Sequence, residues 1–275
     1  ERELYFVGPG GGITRFAASR FLAPLHLIGA FWRLPYLTLR DKIGLARGLR
    51  ALATSSDDRT TASFGDWLTQ QHQSMNAIER FWQVVLVSAL SESLDRISIS
   101  AARKVFVDSF LKNRDGWAMS VPTVPLQVLY GQCIVDWMQA RGVDIRLQSG
   151  AASLVEQENH IVGVRLRSGE VVQAEEFILA VPHTVVRDLL PQSLLDLPAI
   201  QSLGNLETAP ISSVHLWFDS EITTLPHAVL VGRLSQWIFN RTALTAQSYD
   251  SASEIERSAS LGYAYQIVIS ASRNV

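Results

Sequence analysis

The chain has 275 residues, 47% hydrophobic and 9% aromatic, with a formal net charge of -2. That length allows one large domain or two intertwined ones, and the apolar content excludes a disordered chain. The near-neutral charge, with no basic tail, excludes the electrostatic footprint of a nucleic-acid partner.

Cys133 is the only cysteine, so no intramolecular disulfide can form and a reducing, cytoplasmic setting is expected. The sequence opens on a strand-like run, Leu4-Tyr5-Phe6-Val7, and stops just after another, Gln266-Ile267-Val268-Ile269. Both ends are expected to interrupt a larger fold. No run of about 20 apolar residues occurs, so no spanning helix is expected. The six histidines show no HxH or HExxH spacing, which argues against a metal site.

Residues 3 to 17 read as a β-hairpin turning at Gly8-Pro9-Gly10-Gly11-Gly12. A dinucleotide fingerprint needs a helix directly after its glycines, whereas Ile13-Thr14-Arg15-Phe16 is strand-like, so the turn is structural. Residues 20 to 113 read as mostly helical, with Asp41 capping a helix to about Thr54. Ser63 with Asp66 starts the next helix, and Ser98 or Ser100 another. Within this block Phe21 to Leu52 sets an apolar face beside Arg33, Arg40, Lys42, Arg47 and Arg50. Such a face packs on a core, or lies peripherally on the inner face of a cell membrane. The core is the simpler reading.

Pro125 to Arg141 reads as a helix ending at Gly142. Then come a strand at 143–147, a meander through 152–155, 160–166 and 171–173, and a buried strand, Glu176 to Pro182. A helix near 184–190 leads to strands at 213–218, 228–231 and 236–239.

These runs carry a family likeness. Arg141-Gly142-Val143-Asp144-Ile145-Arg146-Leu147, Gly163-Val164-Arg165-Leu166 and Ile178-Leu179-Ala180-Val181-Pro182 resemble the middle FAD-domain segment of the amine oxidase and phytoene desaturase superfamily. Leu22-Ala23-Pro24-Leu25-His26-Leu27, Phe81-Trp82-Gln83-Val84-Val85-Leu86, Val214-His215-Leu216-Trp217-Phe218-Asp219 and Gln236-Trp237-Ile238-Phe239-Asn240-Arg241 resemble one branch, the squalene-associated FAD-dependent desaturases or hydroxysqualene dehydroxylases.

The resemblance implies a mixed α/β, two-domain, FAD-dependent amine-oxidase-like fold. Residues 1–120 would be the hairpin and helical part of a substrate domain, 121–190 the middle of an FAD domain, and 191–275 the sheet part of the substrate domain. The family's N-terminal GxGxxG loop and C-terminal flavin segment have no counterpart here, so this stretch alone is expected to hold FAD poorly and to be inactive. The implied chemistry is reductive dehydroxylation of hydroxysqualene to squalene. Carotenoid desaturation and amine oxidation on the same scaffold stay open, as does a non-catalytic, membrane-peripheral isoprenoid-binding module.

By position in the family, Ala151, Ala180, Val181 and Pro182 would lie against FAD, small residues suiting close backbone approach. Phe81, Trp82, Trp217, Trp237 and Phe239 would line a tunnel for a C30 isoprenoid, although aromatics at such spacing also build ordinary cores. His215, Asp219 and His227 are the polar candidates for an acid near the hydroxyl, the simpler reading of each being a surface or satisfied structural residue.

Overall fold

The structure, a computed structural model, describes residues 1–54, 62–246 and 262–273. Its strands in chain order are β1 (Leu4–Val7), β2 (Ile13–Phe16), β3 (Ala151–Gln157), β4 (His160–Leu166), β5 (Val171–Gln173), β6 (Ser212–Phe218), β7 (His227–Leu230), β8 (Trp237–Asn240) and β9 (Tyr263–Ile269). The chain divides into two units, Glu1–Pro125 with Ala209–Val275, and Leu126–Thr208.

In the first unit six strands pair in the order β2-β1-β7-β8-β9-β6. The β1–β7 pair is parallel and joins segments more than 200 residues apart, while the hairpin and the other pairs are antiparallel. The β1–β2 turn closes with the Gly8 amide donating to the Gly12 carbonyl at 2.9 Å. Gly11 sits at φ +82°, a conformation that costs glycine nothing.

The helical block starts with α1 (Ile28–Trp32), α2 (Leu39–Thr54) and α3 (Phe64–Gln70). The α3 start is the expected capping box of Ser63 and Asp66. At α2 the cap lies one turn earlier than expected. The Asp41 amide donates to Thr38 Oγ1 at 3.2 Å, and Asp41 Oδ2 accepts from the Thr38 amide at 2.9 Å. Asp41 is therefore the acidic partner of a box whose cap is Thr38. Ser74 and Asn76 also donate to this carboxylate, and these hydrogen bonds hold its pKa down to about 2 against the opposing effect of burial.

Within this block, Ile78–Trp82 and Lys104–Leu111 widen into π-helical turns, as Gln127–Cys133 does in the second unit. One extra residue per turn rotates the face that follows, a device that recurs at functional sites. The block closes on a core that includes Leu45, Leu52, Phe64, Leu68, Trp82, Leu86 and Phe106, all almost fully buried. Burying each such side chain contributes about 1.5–3 kcal/mol before entropy is counted.

The second unit holds the three-stranded meander β3-β4-β5. Ahead of it run the helical segments Gln127–Cys133 and Ile134–Gln139, with Gly142 at φ +78°, as its place after a helix end requires. Two expected strands do not form. Residues 143–147 and 176–182 are irregular, with Leu147 79% and Ile178 93% exposed. Their strand-like composition is real, but a strand needs a neighbour for its backbone groups. No strand among the described residues pairs with either run. Leu126, Tyr130, Ile134 and Trp137 likewise leave one helical face apolar and exposed.

Candidate functional site

The first unit encloses an apolar cavity of about 830 Å³ between helices and sheet. This is near the upper end of the ~300–1,000 Å³ usual for small-molecule sites. Residues paired directly across strands share a face, as do residues two apart along one strand. Leu4 faces Phe16, Phe6 faces Val229, and Val229 faces Trp237, so these five form one sheet face. All five line the cavity.

The helical wall is an aromatic series. Phe31 meets Phe81 edge-on at 5.6 Å, Phe81 stacks on Phe106 at 5.7 Å, and Phe106 meets Phe110 at 5.9 Å. Edge-to-face and offset contacts at these distances are favourable, so the wall is held in place without a ligand. Tyr36 also lines the cavity, and burial pushes its phenol pKa well above the ordinary value. It stays neutral at any physiological pH.

The charged lining is one-sided. Lys42, Arg47, Arg50 and Arg80 contribute, and the described lining contains no aspartate, glutamate or histidine. Two of the cations are engaged by backbone carbonyls, Lys42 donating to Trp32 at 2.7 Å and Arg80 to Tyr36 at 3.3 Å. Lys42 Nζ also lies 5.7 Å from the Trp32 ring centre.

Of the aromatic residues expected at a tunnel, Phe81 and Trp237 line this cavity. Trp82 is fully buried in the core behind the wall, its indole N–H donating to Gln73 Oε1 at 2.9 Å. Phe239 stacks on Trp237 at 5.6 Å and shares its sheet face, outside the cavity lining. Trp217 lies on the edge strand β6, 66% exposed. The wall residues Phe6, Phe16, Phe31, Phe106 and Phe110 were not singled out from sequence. The available signals were the four-residue spacing of Phe106 and Phe110 and the alternation of Leu4 with Phe6.

The polar candidates separate. His215 is exposed on β6, with its ring nitrogen 3.3 Å from Ser213 Oγ, and Asp219 is exposed past the end of that strand. His227 is buried, 1% exposed, among Tyr5, Trp237 and Phe239. Its Nε2 lies 3.1 Å from the Glu3 carbonyl, which can only accept, so Nε2 carries the proton and Nδ1 is a bare lone pair. Nδ1 has no partner, and burial lowers the pKa. A neutral ring in this tautomer can take up a proton but has none free to give.

Ala151 starts β3 partly buried, while Ala180, Val181 and Pro182 are exposed in the irregular segment before the helix His183–Leu189. Their backbone is accessible to solvent, as the expected contact with FAD would require. A phosphate cradle is another matter. In the glycine turn Gly8 and Gly11 already donate their amides within the hairpin, and β2 follows in place of a helix. The glycine turn thus supplies no phosphate cradle.

Residues 9–260 match the profile of a family described as flavin containing amine oxidoreductase. The chain is 26% identical over 234 residues to 15-cis-phytoene desaturase of Synechococcus elongatus, covering 79% of this chain and 48% of that protein. It is 25% identical over 249 residues to the chloroplastic/chromoplastic 15-cis-phytoene desaturase of Solanum lycopersicum, covering 86% and 42%. It therefore spans about half the length of the curated relatives it matches. Among solved structures, an oxidoreductase from Methanosarcina mazei superposes with a TM-score of 0.70 at 11% identity, over 98% of this chain and 59% of that one. At that identity the likeness is one of fold, and the fold is the mixed α/β one expected.

Proposed function

Because the chain belongs to the flavin containing amine oxidoreductase family, we propose that it forms part of an FAD-dependent oxidoreductase that desaturates a long isoprenoid hydrocarbon. The observation that carries this reading is the large apolar cavity, walled by aromatic rings and free of carboxylates among the described residues. A polyprene gains affinity from burial alone, at about 25 cal/mol per Å², and asks for no polar partner.

The lining weighs against the other substrates of the scaffold. An ammonium substrate would enter among four cations with no carboxylate to receive it. A hydroxyl leaving as water needs a proton donor; the neutral Tyr36 phenol, with its raised pKa, is a poor one, and the Lys42 ammonium is taken up by the Trp32 carbonyl. The curated relatives are carotenoid desaturases, which supports the carotenoid branch over the squalene branch implied by sequence runs alone. FAD, the cofactor of the family, supplies two-electron acceptance when bound. The chain's own part is to hold the hydrocarbon extended against Phe81, Phe106 and Trp237 and to exclude water.

The test is to supply phytoene, hydroxysqualene and a polyamine separately to the FAD-loaded product of the complete open reading frame, and to analyse products by mass spectrometry. Loss of hydrogens from phytoene supports the reading. Squalene from hydroxysqualene, with phytoene untouched, overturns it in favour of dehydroxylation.

A further inference from the structure

We propose that Ser213, His215 and Gln266 form a proton relay at the far end of the cavity's sheet wall, taking up the proton that a desaturation releases. This rests on the desaturation reading and adds a base to it, because the described cavity lining holds no carboxylate or histidine.

Strand register brings the relay to the cavity. Residues paired across strands share a face, so Phe6, Val229, Trp237, Val268 and Ser213 form one row across β1, β7, β8, β9 and β6. At the usual strand spacing that row spans about 19 Å. Phe6, Val229 and Trp237 line the cavity, and the half-buried Val268 carries the apolar surface beyond it. A long hydrocarbon lying on the row ends against Ser213, the first polar side chain along it. The neighbouring row of the same face runs through His227 and Phe239 to Gln266 and His215. Trp217 stands one row further out and takes no part.

Gln266 Nε2 donates to Ser213 Oγ at 3.0 Å, and Ser213 Oγ lies 3.3 Å from His215 Nε2. A hydroxyl has one hydrogen and two lone pairs. With one lone pair taken by Gln266, Ser213 turns its hydrogen to His215 Nε2 and keeps the other lone pair for the substrate. In the reaction one hydrogen leaves the hydrocarbon with its bonding pair, taken up by an oxidised flavin, the two-electron acceptor of the family. The adjacent hydrogen leaves as a proton to Ser213 Oγ, and the electron pair of that C–H bond becomes the new π bond. The hydroxyl's own hydrogen passes to His215 Nε2, which then donates back to the same oxygen. Both protonation states are thus hydrogen-bonded, as a group that exchanges protons requires. His227 does not serve, because its Nε2 donates to the Glu3 carbonyl and the ring is 1% exposed, with no route to water. His215 is exposed and returns its proton to solvent.

The experiment uses the FAD-loaded product of the complete open reading frame, with phytoene as substrate. S213A and H215A should each lower kcat about 100-fold with KM little changed, the loss expected for a proton-transfer group. S213T keeps the hydroxyl and should keep the rate, and added imidazole should restore turnover to H215A. Flavin content, and quenching of tryptophan fluorescence by β-carotene in neutral detergent micelles, should match wild type in every variant, which separates lost chemistry from lost folding. Wild-type kcat in S213A or H215A overturns the relay and leaves desaturation standing. Loss of quenching together with activity, without rescue by S213T or imidazole, makes these residues structural and overturns it as well. Phytoene untouched by the wild-type protein removes the desaturation reading, and the relay with it.

Discussion

Gln73 joins two helices through its one amide, accepting the Trp82 indole N–H at 2.9 Å and donating to the Gly44 carbonyl of α2 at 3.0 Å. Trp82 is completely buried, so this indole has no access to water and Gln73 is its partner. Replacing Gln73 by Met keeps the volume and removes the acceptor. The cost of a buried, unsatisfied donor is about 1–3 kcal/mol. Chemical denaturation should show a lower midpoint at unchanged slope. A midpoint equal to wild type would show that the indole finds water or another acceptor.

Phe81 and Trp82 are neighbours with opposite duties, and only Phe81 touches the cavity. Phe81→Ala should weaken polyene binding by about 1–2 kcal/mol, as expected from lost apolar contact. Trp217→Ala, at an exposed edge outside the lining, should change it less than about twofold, a surface substitution's usual range. Titration of tryptophan quenching by a polyene measures both. Equal losses would extend the binding surface along the sheet to β6.

Much of this arrangement was legible in the sequence because it is local. Ser63 and Asp66 sit three residues apart and announce their capping box, and the Gly8–Gly12 turn between alternating runs announces a hairpin. The cavity was legible only in part. Whether Phe81 or Trp82 faces it depends on a π-helical turn that shifts the register of the helix face, which residue spacing does not reveal. The β1–β7 pairing is long-range and leaves no local signal. Runs 143–147 and 176–182 failed as strands for a different reason. Their composition suits strands, but strand formation belongs to a pair of segments, and no second member lies among the described residues.

Acid should destabilise the first unit. His26 is fully buried with both ring nitrogens unpartnered, and burial is the main cause of its lowered pKa, with Arg114 lowering it further and Asp115 opposing. For His227 burial again dominates, opposed by the Glu1 carboxylate and the hydrogen bond to the Glu3 carbonyl. A histidine whose folded pKa lies below its unfolded value of about 6.5 binds its proton more readily unfolded. Stability is then full above pH 6.5, by that reference value, and is lost as pH falls toward the folded pKa. Melting temperature against pH for wild type and His227→Gln should show a shallower acid decline in the variant. Parallel curves would assign the acid sensitivity elsewhere.

Flavin content gives a further check. The glycine turn spends amides on its own hairpin, so the 275-residue chain by itself should purify with far less than one flavin per molecule. A visible spectrum decides, and stoichiometric yellow protein would place a phosphate site within this chain.

The central claim concerns the direction of electron flow, and anaerobic spectroscopy of the FAD-loaded complete protein tests it most directly. Desaturation takes electrons from the hydrocarbon, so adding phytoene should bleach the oxidised-flavin band, and adding a polyamine should not. Bleaching by the polyamine alone would make the chain part of an amine oxidase. Reoxidation of pre-reduced flavin by hydroxysqualene, with no response to phytoene, would contradict desaturation and establish dehydroxylation.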